Sequence, residues 1–222
     1  MPSLPDILIR DGACAGPASH ESAADWVLAP WLAGLPKQGR DLLALLPVLD
    51  VNALGLAALP NLPAETNKHA IAAIFCADPF LRVRDAVQLL RAAGIGKVTN
   101  FPTIQIIDGS AAHGFESAGL GTRREAGILG EFAQAGFEIT GFATSAENGA
   151  VLARQGVHAL VLHPGPASQD WRMRAAAGRE LGQAIRSLRH LTNLPVRAMC
   201  PDGYGTELDA ATALADGSVR YG

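Results

Sequence analysis

The residues with chemistry to offer gather where apolar runs stop. "KVTNFPTIQIIDG", Lys97 to Gly109, begins as a strand. It is interrupted at Asn100, loses a backbone donor at Pro102, and reaches a turn signal at Asp108-Gly109. Asn100 both donates and accepts hydrogen bonds, so it can orient a polar ligand. Asn100 and Thr103 can equally well satisfy loop backbone. Cys76-Ala77-Asp78-Pro79 closes a second run, and Asp78 reads either as a ligand residue or as the cap of a helix opening at Pro79. Thr144 and Ser145, His163-Pro164-Gly165 and Cys200-Pro201-Asp202-Gly203 close three more. A thiol near an imidazole can become a nucleophile, which pairs Cys200 with His163. Against that, a lone cysteine commonly packs as a small hydrophobe.

Strands alternating with helices would place these ends. Ile71 to Cys76 is a short apolar run suited to a strand buried on both faces, and a helix is expected over Leu81 to Ala93. Strands follow at Gly96 to Phe101, Phe137 to Ala143 and Val157 to Leu162, with helices over Glu125 to Ala135 and Ala146 to Gln155. "AAGIGKV", "QAGFEIT" and "RQGVHAL" each end a helix at glycine and begin a strand one or two residues later. Asp170 to Leu191 reads as a long arginine-rich helix whose Arg172 and Arg174 begin near the strand ends. Val196 to Met199, a helix over Leu208 to Ala215, and Ser218 to Tyr221 complete the series. With Ile7 to Ile9 and Ala24 to Leu28, the strands number eight, which favours a (β/α)8 barrel over a doubly wound sheet; no Gly-x-Gly-x-x-Gly follows the first strand. The expectation is a single TIM-barrel domain over 1–222, with Leu35 to Pro63 irregular but carrying helical patches, and with no outer helix after the eighth strand. In a barrel, strand ends and the loops after them carry the chemistry.

Composition narrows the partners. Net charge is −3, and Lys37, Lys68 and Lys97 lie far apart, so a basic footprint for nucleic acid is absent. No run approaches the roughly 20 apolar residues of a membrane helix, and the start lacks a cationic-then-apolar leader, which points to a soluble, cytoplasmic protein. Cys14, Cys76 and Cys200 are too widely spaced for a zinc site and suit reduced thiols.

Taken in order, "GRDLLALLPVLDVNAL", "CADPF", "TNFPTIQIIDG", "FESAGLG" and "LVLHPG" resemble the phosphoenolpyruvate hydrolase-like TIM-barrel family. The resemblance is strongest from Ile71 to Gly165. It implies a homo-oligomeric barrel, with hydrolase or lyase activity on a small phosphoenolpyruvate-like or 2-oxo acid. Carried over residue by residue, it implies a pocket of Asp78, Asn100, Thr103, Asp108, Glu116 and His163. Asp108 and Glu116 would sit on a long loop folded over the mouth. On that reading Asp78 and Glu116 hold Mg2+ or act as acid and base, Asn100 orients the carboxylate, and His163 transfers a proton. Asp108 joins the acid–base set, and Thr103, Cys76 and Cys200 complete the substrate contacts. The strand ends Asp11-Gly12-Ala13-Cys14-Ala15-Gly16, Ala29-Pro30-Trp31 and Pro201-Asp202-Gly203 depart from the family pattern. A non-catalytic barrel, acting as a binding or assembly subunit, is the alternative.

Overall fold

The computed structural model describes residues 4–11, 24–62 and 67–222; Cys14 lies outside them. Eight parallel strands close into a barrel in sequence order: β1 (Ile7–Arg10), β2 (Trp26–Leu28), β3 (Ala70–Ala73), β4 (Lys97–Thr99), β5 (Glu138–Ala143), β6 (Ala159–Leu162), β7 (Val196–Cys200) and β8 (Gly217–Tyr221). β8 pairs back onto β1, Val219 opposite Ile7 and Tyr221 opposite Ile9, so the sheet has no free edge. The helices are α1 (Arg40–Leu43), α2 (Val51–Ala58), α3 (Val83–Ala92), α4 (Gly109–Ser117), α5 (Thr122–Gln134), α6 (Ala146–Ala153), α7 (Trp171–Leu191) and α8 (Asp209–Thr212). No helix among the described residues is long and apolar enough to cross a membrane.

Strand alternation sorts the side chains into two cores. Ile7, Ile9, Val27, Ile71, Phe142, Val161, Met199 and Val219 fill the barrel interior. Trp26, Leu28, Ile74, Val98, Ile139, Leu160, Leu162 and Ala198 point outward into the layer under the helices. The three helix-ending glycines hold left-handed backbone at Gly94, Gly136 and Gly156, with φ of 74°, 86° and 83°. At the first two, the next residue donates back into the helix: Ile95 N to Leu90 O and Phe137 N to Phe132 O. That closes the helix and starts the strand within one residue. A Cβ at Gly136 would meet no atom within 4 Å, so the only cost of Gly136→Ala is the strain of φ > 0. A loss of about 1 kcal/mol is expected, read from the urea midpoint at unchanged slope.

Three differences from the sequence reading bear on the site. The third strand stops at Ala73 rather than Cys76, because the Asn52 side chain takes the place of a neighbouring strand: Phe75 N donates to its Oδ1 at 2.9 Å and its Nδ2 donates to Phe75 O at 3.0 Å. The fourth stops at Thr99 rather than Phe101. The stretch expected as a loop over the mouth is instead α4, a helix with no buried residue. Elsewhere the expected elements shift by a few residues at their ends. β8 ends at Tyr221, and residues 4–6 lie along its start, where Asp6 Oδ1 accepts Ser218 N at 3.0 Å.

Candidate active site at the barrel mouth

Five side chains from four strand ends meet at the mouth. Gly39, with φ of 75°, turns the chain into α1 and places Arg40 and Asp41 in its single turn. Both are buried, at 8% and 6% exposure. His163 directly follows β6, two residues past the inward-facing Val161, and is 1% exposed. Tyr221 is the inward-facing end of β8, in ring contact with Phe101 at 6.4 Å. Asp202 comes from the turn after β7 and pairs with the Arg40 guanidinium. That guanidinium lies over the Tyr221 ring, 3.9 Å from its centre, and its Nε donates to Lys37 O at 3.4 Å.

Asp41 is the hub of this cluster. It accepts the Tyr221 hydroxyl, and its Oδ1 lies 3.7 Å from His163 Nε2, longer than a hydrogen bond. His163 Nδ1 accepts the Gly165 N–H at 3.0 Å, so the neutral ring carries its proton on Nε2, a tautomer assigned from that bond. This Nε2 is buried and has no hydrogen-bond partner. An orphaned buried donor costs about 1–3 kcal/mol, and a ligand oxygen would relieve it. Burial pushes the Asp41 carboxyl up, but the His163 imidazole, the Tyr221 hydroxyl and the Arg40 guanidinium outweigh it and hold the group below the ordinary carboxylate range. Burial, then the Asp41 charge, pushes the Tyr221 phenol well above its ordinary value. The mouth thus offers an ionised carboxylate, two proton-bearing donors and a fixed cation.

A second polar cluster lies behind the barrel wall, between the ends of β4 and β5 and the start of α5. Asn100 bridges to β5 with both ends of its amide, donating to Phe142 O at 2.8 Å and accepting Phe142 N at 2.6 Å. Glu125, fully buried, accepts Thr103 Oγ1 at 2.8 Å, Gln105 Nε2 at 2.7 Å and Ile104 N at 3.2 Å. Burial pushes its carboxyl up to about 7 against the pull of those hydrogen bonds.

The sequence model of the phosphoenolpyruvate hydrolase-like family matches residues 16–199. The chain belongs to that family. Uncharacterized protein y4oT of Sinorhizobium fredii (strain NBRC 101917 / NGR234) is 32% identical to it over 127 residues, 57% of this chain and 64% of that protein. ToMV susceptible protein tm-1(GCR26) of Solanum lycopersicum is 29% identical over 172 residues, 74% of this chain but 23% of the tomato protein. The chain therefore spans under two thirds of either relative. Among solved structures, the carboxyl transferase domain of Rhizobium etli pyruvate carboxylase with 3-bromopyruvate superposes over 100% of this chain and 40% of its own, with a TM-score of 0.58 at 12% identity. A candidate phosphonomutase from Burkholderia cenocepacia J2315 does so over 99% and 87%, with a TM-score of 0.55 at 15% identity. At such identities the likeness speaks to the barrel alone.

In this phosphoenolpyruvate hydrolase-like barrel the residues singled out from sequence do not converge. Only His163 reaches the mouth cluster. Asn100 and Thr103 face away from the interior into the Glu125 network, so neither has a free group for substrate. Cys76 and Cys200 also point outward by strand parity, into the layer under the helices. The Cys76 thiol is fully buried, donates to Ile74 O at 3.6 Å, and is pushed well above its usual pKa by burial and by Glu125. Cys200 lies 3.7 Å from Thr212 Oγ1 on α8, which rules it out as a partner for the inward-facing His163. Asp108 is an exposed residue preceding α4. Glu116, on α4, accepts Thr122 N at 2.7 Å and so holds the start of α5. Asp78 does not cap α3, which begins at Val83; its oxygens accept Asn52 Nδ2 at 2.9 Å and Phe80 N at 2.8 Å. Arg174 pairs with Glu207 at 2.7 Å.

A divalent cation does not fit these donors. Among the described residues no three His, Cys, Asp or Glu side chains gather as ligands. Asp78, the expected Mg2+ ligand, turns both oxygens to N–H donors, and Asp202 and Asp41 are engaged with Arg40 and Tyr221. The residues that sequence reasoning missed are Arg40, Asp41, Tyr221 and Glu125, while Asp202 was read at its strand end but not placed in the pocket. The adjacent Arg40-Asp41 pair, directly after Gly39 within "GRDLLALLPVLDVNAL", was the available signal.

Proposed function

We propose that the mouth binds a small 2-oxo acid or an enol carboxylate of the phosphoenolpyruvate type and moves a proton at the carbon beside the oxo group, a step shared by hydrolases and lyases of such acids. Arg40 receives the carboxylate, since a guanidinium fork matches it and two contacts already fix this one. His163 Nε2–H donates to the oxo oxygen as negative charge builds there, in a buried site where such a bond counts most. Asp41, ionised at neutral pH, takes the proton, and the Tyr221 hydroxyl holds it in place. The orphaned Nε2–H of His163 beside Arg40 and Asp41 is the observation that carries this reading. Membership of the phosphoenolpyruvate hydrolase-like family supports it.

Pyruvate, oxaloacetate, phosphonopyruvate and phosphoenolpyruvate, each with and without Mg2+, test it in a thermal-shift screen. A ligand at 100 times its dissociation constant adds about 2.7 kcal/mol. For a chain of this size that is a rise of roughly 5–10 °C. Absence of a shift with every acid would sink the reading in favour of a non-catalytic binding or assembly subunit. The exposure of Phe80 (87%), Trp171 (61%) and Met173 (60%) favours that second reading. Exposed apolar side chains of this kind also suit a homo-oligomer, and light scattering on the screened sample would contradict that by returning a monomer mass.

A further inference from the structure

The cation at the mouth already has partners within the chain. Arg40 is held by the Tyr221 ring and Lys37 O, and its side chain is only 10% exposed. Its counter-ion, Asp202, is 33% exposed and sits on the turn Pro201-Asp202-Gly203, where Gly203 has a left-handed φ of 88°. Of the two partners, the half-buried carboxylate on the turn is freer to leave than the buried guanidinium. A ligand carboxylate arriving at Arg40 would replace like with like.

We infer that Asp202 fills the carboxylate receptor of the free protein and restricts the mouth to singly charged 2-oxo acids, disfavouring those that also carry a phosphate or phosphonate. This rests on the substrate class proposed above and narrows it. Displaced from Arg40, Asp202 remains beside the mouth, as does the buried Asp41, so two carboxylates face the ligand against one guanidinium. One ligand carboxylate is balanced by Arg40. A second anionic group meets like charges at short range in a poorly screened site. Of the cations nearby, Arg220 is drawn along β8 by the bond from its Nε to Ser218 Oγ at 3.0 Å, and Lys37, exposed before α1, meets Arg40 through its carbonyl. "PDGYGTELDA", after β7, has no lysine or arginine. Arg174 is taken up by Glu207 and by the carbonyls of Ser168 and Gln169 in the β6 loop, and the Arg172 guanidinium lies over the Trp171 ring, 5.8 Å from its centre. Phosphate recognition calls for several such donors, which the loop after β7 lacks.

Calorimetric titration with pyruvate and with phosphonopyruvate tests this on the wild type, Asp202→Asn, Asp202→Ser, Arg40→Gln and the Asp202→Asn/Arg40→Gln double variant. The wild type is expected to bind pyruvate at least tenfold more tightly than phosphonopyruvate. Both Asp202 variants should tighten pyruvate and narrow the gap between the two acids at least tenfold. Arg40→Gln should abolish pyruvate binding and erase the effect of Asp202→Asn. Tighter wild-type binding of phosphonopyruvate, an unchanged ratio in both Asp202 variants, or no binding of either acid by any form overturns the inference. Binding in the expected order without proton exchange at the pyruvate methyl group would instead overturn the catalytic reading and leave the inference standing.

Discussion

Glu125→Ala is expected to cost about 3–5 kcal/mol of stability at pH 6, the largest loss from any single truncation outside the apolar core. The carboxyl group is fully buried and accepts from Thr103, Ile104 and Gln105, which with Asn100 form the stretch that follows β4. Each buried donor left without an acceptor costs about 1–3 kcal/mol, and the emptied volume adds to that. The loss should fall short of the simple sum, because Gln105 Nε2 also reaches Phe142 O at 3.2 Å and keeps one partner. Urea unfolding of the variant at pH 6 provides the number; a loss under 1 kcal/mol would mean the network does not hold this stretch in place.

The same residue gives stability a pH slope of definite sign. In the fold the Glu125 carboxyl titrates near 7, against 4.5 for an ordinary glutamate, because burial disfavours its charge. Between those values the folded protein keeps a proton that the unfolded chain has released. The contribution is complete below about 4.5 and is lost as pH rises through about 7, amounting to roughly 3 kcal/mol. Glu125→Gln cannot titrate and should lack this part of the slope. Its own loss at pH 6 should be smaller than that of alanine, since its amide oxygen can still accept Ile104 N.

The barrel was legible in the sequence because its signals are local. Gly94, Gly136 and Gly156 sit where a helix must stop, and each is followed at once by apolar residues that begin the next strand. The site was legible only in part, because which way a strand end faces is not a local property. Asn100 lies one residue beyond β4, and its orientation is fixed by the backbone of Phe142, 42 positions away. Cys200 and His163 look alike as strand-end residues, yet one step of parity puts the first under a helix and the second in the mouth. Arg40, Asp41 and Tyr221 meet only because β8 closes onto β1, which brings residue 221 beside residue 41. No spacing along the chain encodes that contact.

Asp41→Asn is the substitution expected to do most to activity. Exchange of the pyruvate methyl protons for deuterium, followed by proton NMR, reports the proposed step directly, without the identity of the final product. Removing the proton acceptor should slow that exchange by 10²–10⁴-fold towards the uncatalysed rate. The KM for pyruvate should move by only a fewfold, because Arg40 stays to hold the carboxylate. A purely structural role for Asp41 would instead show as lost stability with the exchange rate per folded molecule retained. The pH profile separates the two further. His163, Tyr221 and Arg40 together hold the Asp41 carboxyl below the ordinary range against its burial, so its stabilising share is present at neutral pH and is lost only as pH falls through that lowered value. Wild-type exchange should therefore show no acid limb from Asp41 between pH 7 and about 5, a window bounded below by the ordinary carboxylate range. Glu125 gives up its stabilising proton across part of that same window while Asp41 stays charged, so stability and turnover should respond to pH through different carboxyls. A single apparent titration governing both would contradict that separation.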